Sequence, residues 1–162
     1  MRKAFSTAAV VLGLFALLAP TAATAPNSQR VTSLTIRLIG RPGAFKLRDR
    51  PPQGPSKGDV YAGPSVLRNA VNQFRRAKGA IVGHDYEVLT LTSPTTERVR
   101  AVAYLPGGTI RVRGYRNRQT NPRDFTVSVV GGTGRYANSR GTVYVRDVSP
   151  TRDVNVYHLR IP

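Results

Sequence analysis

From Ala80 to Leu105, and again from Thr109 to Tyr115, apolar and polar residues alternate with a period of two. Val99, Ala101, Ala103 and Leu105 oppose Arg98 and Arg100, while Ile110 and Val112 oppose Arg111 and Arg113. Strands half-buried on one face impose that period. It predicts strands over 80–92, 98–105 and 109–115. Ser93-Pro94-Thr95-Thr96 breaks the first from the second, and Pro106-Gly107-Gly108 turns the hairpin between the second and third. Shorter runs predict strands over 31–38, 58–67 (bulged at Gly63-Pro64), 125–130, 142–148 and 154–161. Residues 40–57 carry four prolines and three glycines and read as a long irregular loop. Residues 68–78 are polar, fitting one helical turn or a connection, and 116–124 reads as a polar loop.

About eight short strands without a helix of useful length predict an all-β domain, an antiparallel barrel or sandwich. An eight-stranded barrel can be filled by side chains or hold one small ligand. Burying two arginines per strand without partners would cost several kcal/mol each, so the arginines belong outside and the small apolar residues inside. Ala101, Ala103 and Gly114 on the inner face would leave room there.

Arg2 and Lys3 precede an apolar run from Ala8 to Ala19, then Pro20 and small residues. This is the layout of a secretory signal peptide, and the run is short for a membrane span. Cleavage after Ala23 or Ala25 fits the small-x-small rule; the alternative is a retained anchor. The expected organisation is a signal over 1–25, an N-terminal strand and Pro/Gly-rich loop over 26–57, and the main part of one barrel domain over 58–162. The domain as a whole runs from about 30 to 162, and the mature protein is expected to be secreted. Its size suits a single core.

The formal net charge is +17, with 25 Lys+Arg against 8 Asp+Glu. Arg2 and Lys3 account for two of those charges, leaving +15 after cleavage. Such a surface attracts polyanions, including anionic cell-envelope polymers, in a salt-sensitive way. The bland alternative is an arginine-rich exterior without a dedicated partner; no nucleic-acid-binding motif is present. The absence of cysteine excludes disulfides, a thiolate nucleophile and zinc–thiolate sites. His84 and His158 are the only histidines, and no spacing brings them together, so no metal site is expected. No Ser-His-Asp order stands out to support covalent catalysis.

In Gly83-His84-Asp85-Tyr86-Glu87-Val88-Leu89-Thr90-Leu91, Asp85 and Glu87 share a face with Leu89 and Leu91. Were the leucines inside, both acids would enter the barrel mouth, where desolvation raises a carboxyl's pKa and makes it a candidate catalytic acid or base. In the other placement the strand end emerges into solvent and its acids pair with arginines. Among the seven tyrosines, mostly expected to pack on strands, Tyr61 and Tyr104 are candidate hydrogen-bond donors to a ligand.

Val129-Val130-Gly131-Gly132-Thr133-Gly134-Arg135-Tyr136 is dense in glycine. A phosphate-binding loop would need Lys-Ser/Thr and a helix next, whereas Arg-Tyr and a strand-like run follow. The corner is therefore structural. With Ala137 and Arg140-Gly141-Thr142-Val143, it resembles the GGTG-x-aromatic segment of the dirigent and allene oxide cyclase superfamily. Three further segments occur in the order that superfamily has them. They are Gly58-Asp59 with Tyr61 and Pro64, then Gly79 and Gly83, then Gly107-Gly108-Thr109-Ile110 with Gly114.

The resemblance covers 58–162 and implies an eight-stranded antiparallel, calycin-like barrel, often a homotrimer, with a hydrophobic central pocket and no cofactor. Plant members cyclise an unstable epoxide or steer phenoxy-radical coupling, and bacterial relatives include cyclases of polyketide intermediates; all work by holding one reactive conformer away from water. Two positions depart from the plant pattern. Gly63 stands where Asn or Asp precedes the early proline, and Asp85 where a cyclase has cysteine, so neither plant activity transfers. The family position of Asp85 lines the pocket, which favours its inward placement.

Two functions follow. The leading one is a secreted barrel that binds a hydrophobic small molecule and templates a cofactor-free cyclisation or isomerisation. The alternative is a non-enzymatic cationic protein docking on anionic cell-envelope polymers.

Overall fold

Alternation carries further along the chain than the apolar runs suggest, and nine strands result among the described residues. The computed structural model describes residues 30–162, so the signal expected over 1–25 lies outside it. The strands are β1 (Thr32–Pro42), β2 (Lys46–Arg48), β3 (Val60–Asn69), β4 (Ile81–Leu91), β5 (Thr96–Leu105), β6 (Gly108–Asn117), β7 (Asp124–Gly132), β8 (Arg140–Ser149) and β9 (Arg152–Ile161). A 3-10 turn over Gly134–Tyr136 lies between β7 and β8.

Every pairing is antiparallel, and each strand from β3 to β9 pairs with its sequence neighbour. Strand β1 pairs with β9 through Thr32–Gly40 and with β3 through Leu38–Pro42, which closes eight strands into a barrel. Closure leaves no edge among these eight strands. The short β2 pairs with the first residues of β3, where β1 has ended.

Three expectations change, and the open alternative over 68–78 is decided for a connection. Residues 40–57 are not all loop, since β1 runs on to Pro42 and β2 lies within them. The bulge expected at Gly63-Pro64 is absent, because Gly63 pairs with Glu87 and Pro64 with Tyr86 in continuous register; the irregularity falls between Leu67 and Arg68. Residues 70–80 form an irregular connection held by Asn69, whose side-chain amide donates to the carbonyls of Gln73, Arg76 and Ala77. The room expected at Gly114 is occupied, since a Cβ there would lie 2.7 Å from Val127 Cγ1.

The interior has two regions. At the end holding the β5–β6 turn, Ile36, Leu38, Leu67, Val82, Ala103, Leu105, Ile110, Val127, Val129, Val143 and Leu159 form a closed apolar core. The glycine corner seals this end. A Cβ on Gly132 would sit 2.2 Å from the Thr109 carbonyl oxygen, and one on Gly134, at φ +57°, would sit 2.1 Å from that of Gly107. Only glycine lets the corner approach the β5–β6 turn so closely. Tyr136 is fully buried beneath it, and its hydroxyl donates to the Pro106 carbonyl at 3.0 Å. The opposite end is polar and open.

Candidate functional site

At the open end the inward parity of each strand continues into charged residues. Asp85 and Glu87 follow from β4, Glu97 begins β5, Arg116 ends β6, and Asp147 and Asp153 flank the β8–β9 turn. Five of the chain's eight acids therefore face the interior of one barrel end.

Three of them, Glu87, Asp147 and Asp153, line a cavity of about 590 Å³ together with Arg116, Phe45, Leu89, Phe125 and Val145. Phe45 reaches the cavity because Gly63 has no side chain: a Cβ there would meet the Phe45 ring at 2.7 Å. Gly40 does the same for Asp153, whose Oδ1 lies 2.1 Å from where the Cβ would be.

Two arginines line the cavity with these acids, Arg116 inside the barrel and the exposed Arg123 at its rim. Arg116 lies 2.8 Å from Asp147 and 3.7 Å from Glu97, and its guanidinium covers the Phe125 ring at 4.8 Å. It also donates to the Pro122 carbonyl. Asp153 accepts a hydrogen bond from the Asn155 amide. Asp85, 4 % exposed, pairs with Ser65 across the β3–β4 ladder, yet Asp85 Oδ1 and Ser65 Oγ each lack a hydrogen-bond partner.

The titration of these groups follows from that environment. Burial pushes Asp85 from 3.8 up to about 7; the neighbouring Ser65 offsets part of this, and the Asp153 charge adds to it. Burial, then the charges of Asp85, Asp153, Asp147 and Glu97, pushes Glu87 from 4.5 up to about 8. Asp153 rises from 3.8 to about 6, chiefly through burial, with the Asn155 amide restraining it. Glu97 is raised by burial and restrained by Arg116. The buried Tyr157 phenol is held well above its ordinary value by burial and by the Asp85, Glu87 and Asp153 charges. Near neutral pH this cluster holds protonated and ionised carboxyls side by side. Asp85 and Glu87 are about 6.6 Å apart along their strand. Such a set can donate and accept a proton in one cavity without a bound cofactor.

The structure separates the four residues singled out from sequence. Asp85 and Glu87 both point inward, Asp85 below the cavity and Glu87 in its wall. Tyr61 keeps the inward parity of β3, half-buried beside Leu89 at the rim, but does not line the cavity. Tyr104 must be corrected. It lies between Ala103 and Leu105, which are both inside, so alternation turns it outward; it is 44 % exposed and stacks on His84 with ring centroids 4.7 Å apart. His84 and His158 are both exposed, on β4 and β9. Among the described residues, no group of three or more His, Cys, Asp or Glu side chains could hold a metal ion.

Sequence reasoning missed Glu97, Arg116, Asp147, Asp153, Phe45 and Phe125 as site residues. For the four charged ones the signal was present, since counting by twos from Val99, Val112, Val145 and Asn155 reaches each. Phe45 carried no such signal, because its place over Gly63 depends on the path of the preceding loop.

No protein-family model matches the chain, and no characterised protein matches it by sequence. Solved structures do match. A pyocyanin demethylase superposes with TM-score 0.66 at 23% identity, covering 78% of this chain and 99% of that one. A pterocarpan synthase dirigent protein gives 0.62 at 14%, covering 83% and 86%. A Diels–Alderase from Streptomyces koyangensis gives 0.66 at 16%, covering 83% and 71%. The chain has the barrel fold of dirigent proteins and these cyclases, the fold its glycine corner resembles.

Proposed function

We propose that this barrel binds a small molecule with an apolar body in its open end and templates a cofactor-free cyclisation or isomerisation by proton transfer. One observation carries the reading: Glu87, raised to about 8, stands in the wall of a cavity it shares with Phe45, Leu89, Phe125 and Val145, and Asp85, raised to about 7, lies buried below it on the same strand face. Raised carboxyls near the working pH are suited to general acid–base work, and the apolar walls hold one conformer while excluding water. The ionised carboxylate removes a proton from the ligand, and the protonated neighbour returns one elsewhere on it. Barrels of this fold include a Diels–Alderase and a demethylase, so the wall tolerates more than one chemistry. Following the sequence reading, the protein acts outside the cell.

A probe reaction tests the base. In 5-nitrobenzisoxazole, removal of the ring C–H proton breaks the N–O bond and releases a coloured cyanophenolate, and a desolvated carboxylate accelerates that step. The protein should catalyse it with a rate that rises with pH through the range of about 7 to about 8. Glu87→Gln and Asp85→Asn should each lower the rate by roughly a hundredfold, within the range for one acid–base group. A rate no higher than that of free acetate, or one indifferent to both variants, would refute the proposal.

The second reading, docking on anionic cell-envelope polymers, is favoured by the outer face of β5 and β6. Arg100 and Arg113 sit directly opposite one another, with Arg98 and Arg111 on the same face. Like charges so placed repel unless an anion lies between them. Binding to poly(glycerol phosphate) should weaken steeply with salt and in Arg100→Gln/Arg113→Gln; salt-independent binding would count against it.

A further inference from the structure

Building on the binding reading above, we propose that the open end takes an organic cation: a ring-sized apolar body bearing one positive charge, seated against Glu87 and Asp153 with Asp85 buried below them. The charge inventory of the cavity is lopsided. Arg116 is engaged by Glu97 and Asp147, and Arg123 is exposed at the rim, which leaves Asp85, Glu87 and Asp153 with only neutral partners, Ser65, the Asn155 amide and the Gly40 backbone, among them. Asp85 supplies an independent pointer to a missing partner, since its Oδ1 is buried and unpaired, as is the Oγ of the adjacent Ser65. A buried polar atom left unpaired costs about 1 to 3 kcal/mol, more when charged, so such atoms are satisfied by something.

What satisfies it is fixed by what each ligand class would do to the acids. A neutral apolar ligand displaces water from the cavity and strips the carboxylates of their remaining solvation. An anion adds repulsion to that loss. A cation replaces the lost water with an opposite charge in a low-dielectric site, where the attraction is large. The walls also suit an aromatic cation, because Phe45 and Phe125 present faces that attract positive charge, as Phe125 already does for Arg116.

The groups that govern the pH response come from every wall. They are Asp85 and Glu87 on β4, Glu97 on β5, Arg116 on β6, Asp147 on β8, Asp153 and Tyr157 on β9, and Arg123 at the rim. Tyr157, held well above its ordinary value, stays neutral, so the carboxyls set the profile. A cation prefers their ionised forms. Its binding must therefore expel protons, and its affinity must rise as pH passes from about 6 to about 8.

The test uses two isosteric probes, 1-methylquinolinium and 1-methylnaphthalene, which differ in charge and share a shape. The chain has no tryptophan, so probe fluorescence is read without interference. At pH 8 the quinolinium should bind at least tenfold more tightly than the naphthalene, and at pH 5 the ratio should shrink to within about twofold. Binding in weak buffer should acidify the solution, and Asp85→Asn/Asp153→Asn should abolish the preference while circular dichroism shows an intact barrel. Equal binding of both probes at pH 8 overturns the cation proposal and leaves the small-molecule pocket standing. Failure of both probes to bind overturns both. Quinolinium binding that survives Leu89→Trp, which fills the cavity, places the cation elsewhere and also overturns the proposal.

Discussion

Replacing Glu87 with glutamine should stabilise the protein, and only at high pH. The Glu87 carboxyl is raised from 4.5 to about 8 in the folded chain, so the folded state holds its proton more tightly than the unfolded state does. Below about pH 4.5 both states are protonated and Glu87 exacts no penalty. Between about 4.5 and about 8 the unfolded state ionises first, and stability falls as pH rises. Above about pH 8 the full penalty is present. At 1.36 kcal/mol per pH unit the shift corresponds to about 5 kcal/mol. The cavity is open to water, which enters and solvates the ionised carboxylate, so roughly half of that, about 2 kcal/mol, is expected.

Glutamine has the shape of the protonated acid and never ionises. Urea denaturation of wild type and Glu87→Gln at pH 5 and pH 9 isolates the effect, because Asp85 and Asp153 titrate in both proteins. The variant should match wild type at pH 5 and exceed it by about 2 kcal/mol at pH 9. A stability difference equal at the two pH values to within about 0.5 kcal/mol would refute the buried placement of this charge.

Arg116→Gln should act in the opposite sense: it leaves Glu97 and Asp147 unanswered, so urea denaturation should show a loss of about 2 kcal/mol at pH 8 that shrinks on acidification as Glu97, raised by burial, takes up its proton. At the sealed end, Gly132→Val drives a side chain into the Thr109 carbonyl and should abolish soluble folded protein; a variant with normal unfolding would contradict the packing described. Tyr136→Phe removes the hydroxyl that Pro106 accepts from and should cost about 1 kcal/mol in thermal or urea unfolding, with the 5-nitrobenzisoxazole rate unchanged because the residue lies at the far end.

The fold was legible because alternation survives translation into sequence: a residue's face on a strand is its parity. The outward arginines on β5 and β6 and the inward run Val99, Ala101, Ala103, Leu105 follow from it directly. The site was less legible, and the reason lies in how strand ends are recognised. A strand predicted from apolar alternation stops where charge begins. In this barrel the charged residues are the inward positions of the open end, so the predicted limits Arg98, Tyr115 and Val154 excluded Glu97, Arg116 and Asp153. Asp147 lay inside a predicted strand, but its inward parity from Val143 and Val145 was not followed to the end. Asp85 and Glu87 were visible only because Leu89 and Leu91 follow them and prolong the apolar pattern beyond the acids. Tyr104 was misplaced for a different reason: aromaticity suggested a ligand contact where parity turns the ring outward.

The charge of the whole chain and the state of its interior acids run in opposite directions, and the barrel wall explains how both persist. A chain at +17 would be expected to lower carboxyl pKa values, yet Asp85, Glu87 and Asp153 are raised. The outer arginines are solvated, and water screens their field within a short distance. No arginine is among the influences on Asp85 or Glu87, whereas Arg116, which does enter the barrel, restrains Glu97. Dielectric and distance therefore outweigh net charge. The alternation of a single layer of strands keeps the two populations apart, with Arg98 and Arg100 facing water while Glu97 on the same strand faces the cavity. A barrel built in this way can present a cationic exterior and still store protons in its mouth near neutral pH. That separation lets one chain carry a cationic exterior and an acid-lined cavity without either charge set neutralising the other.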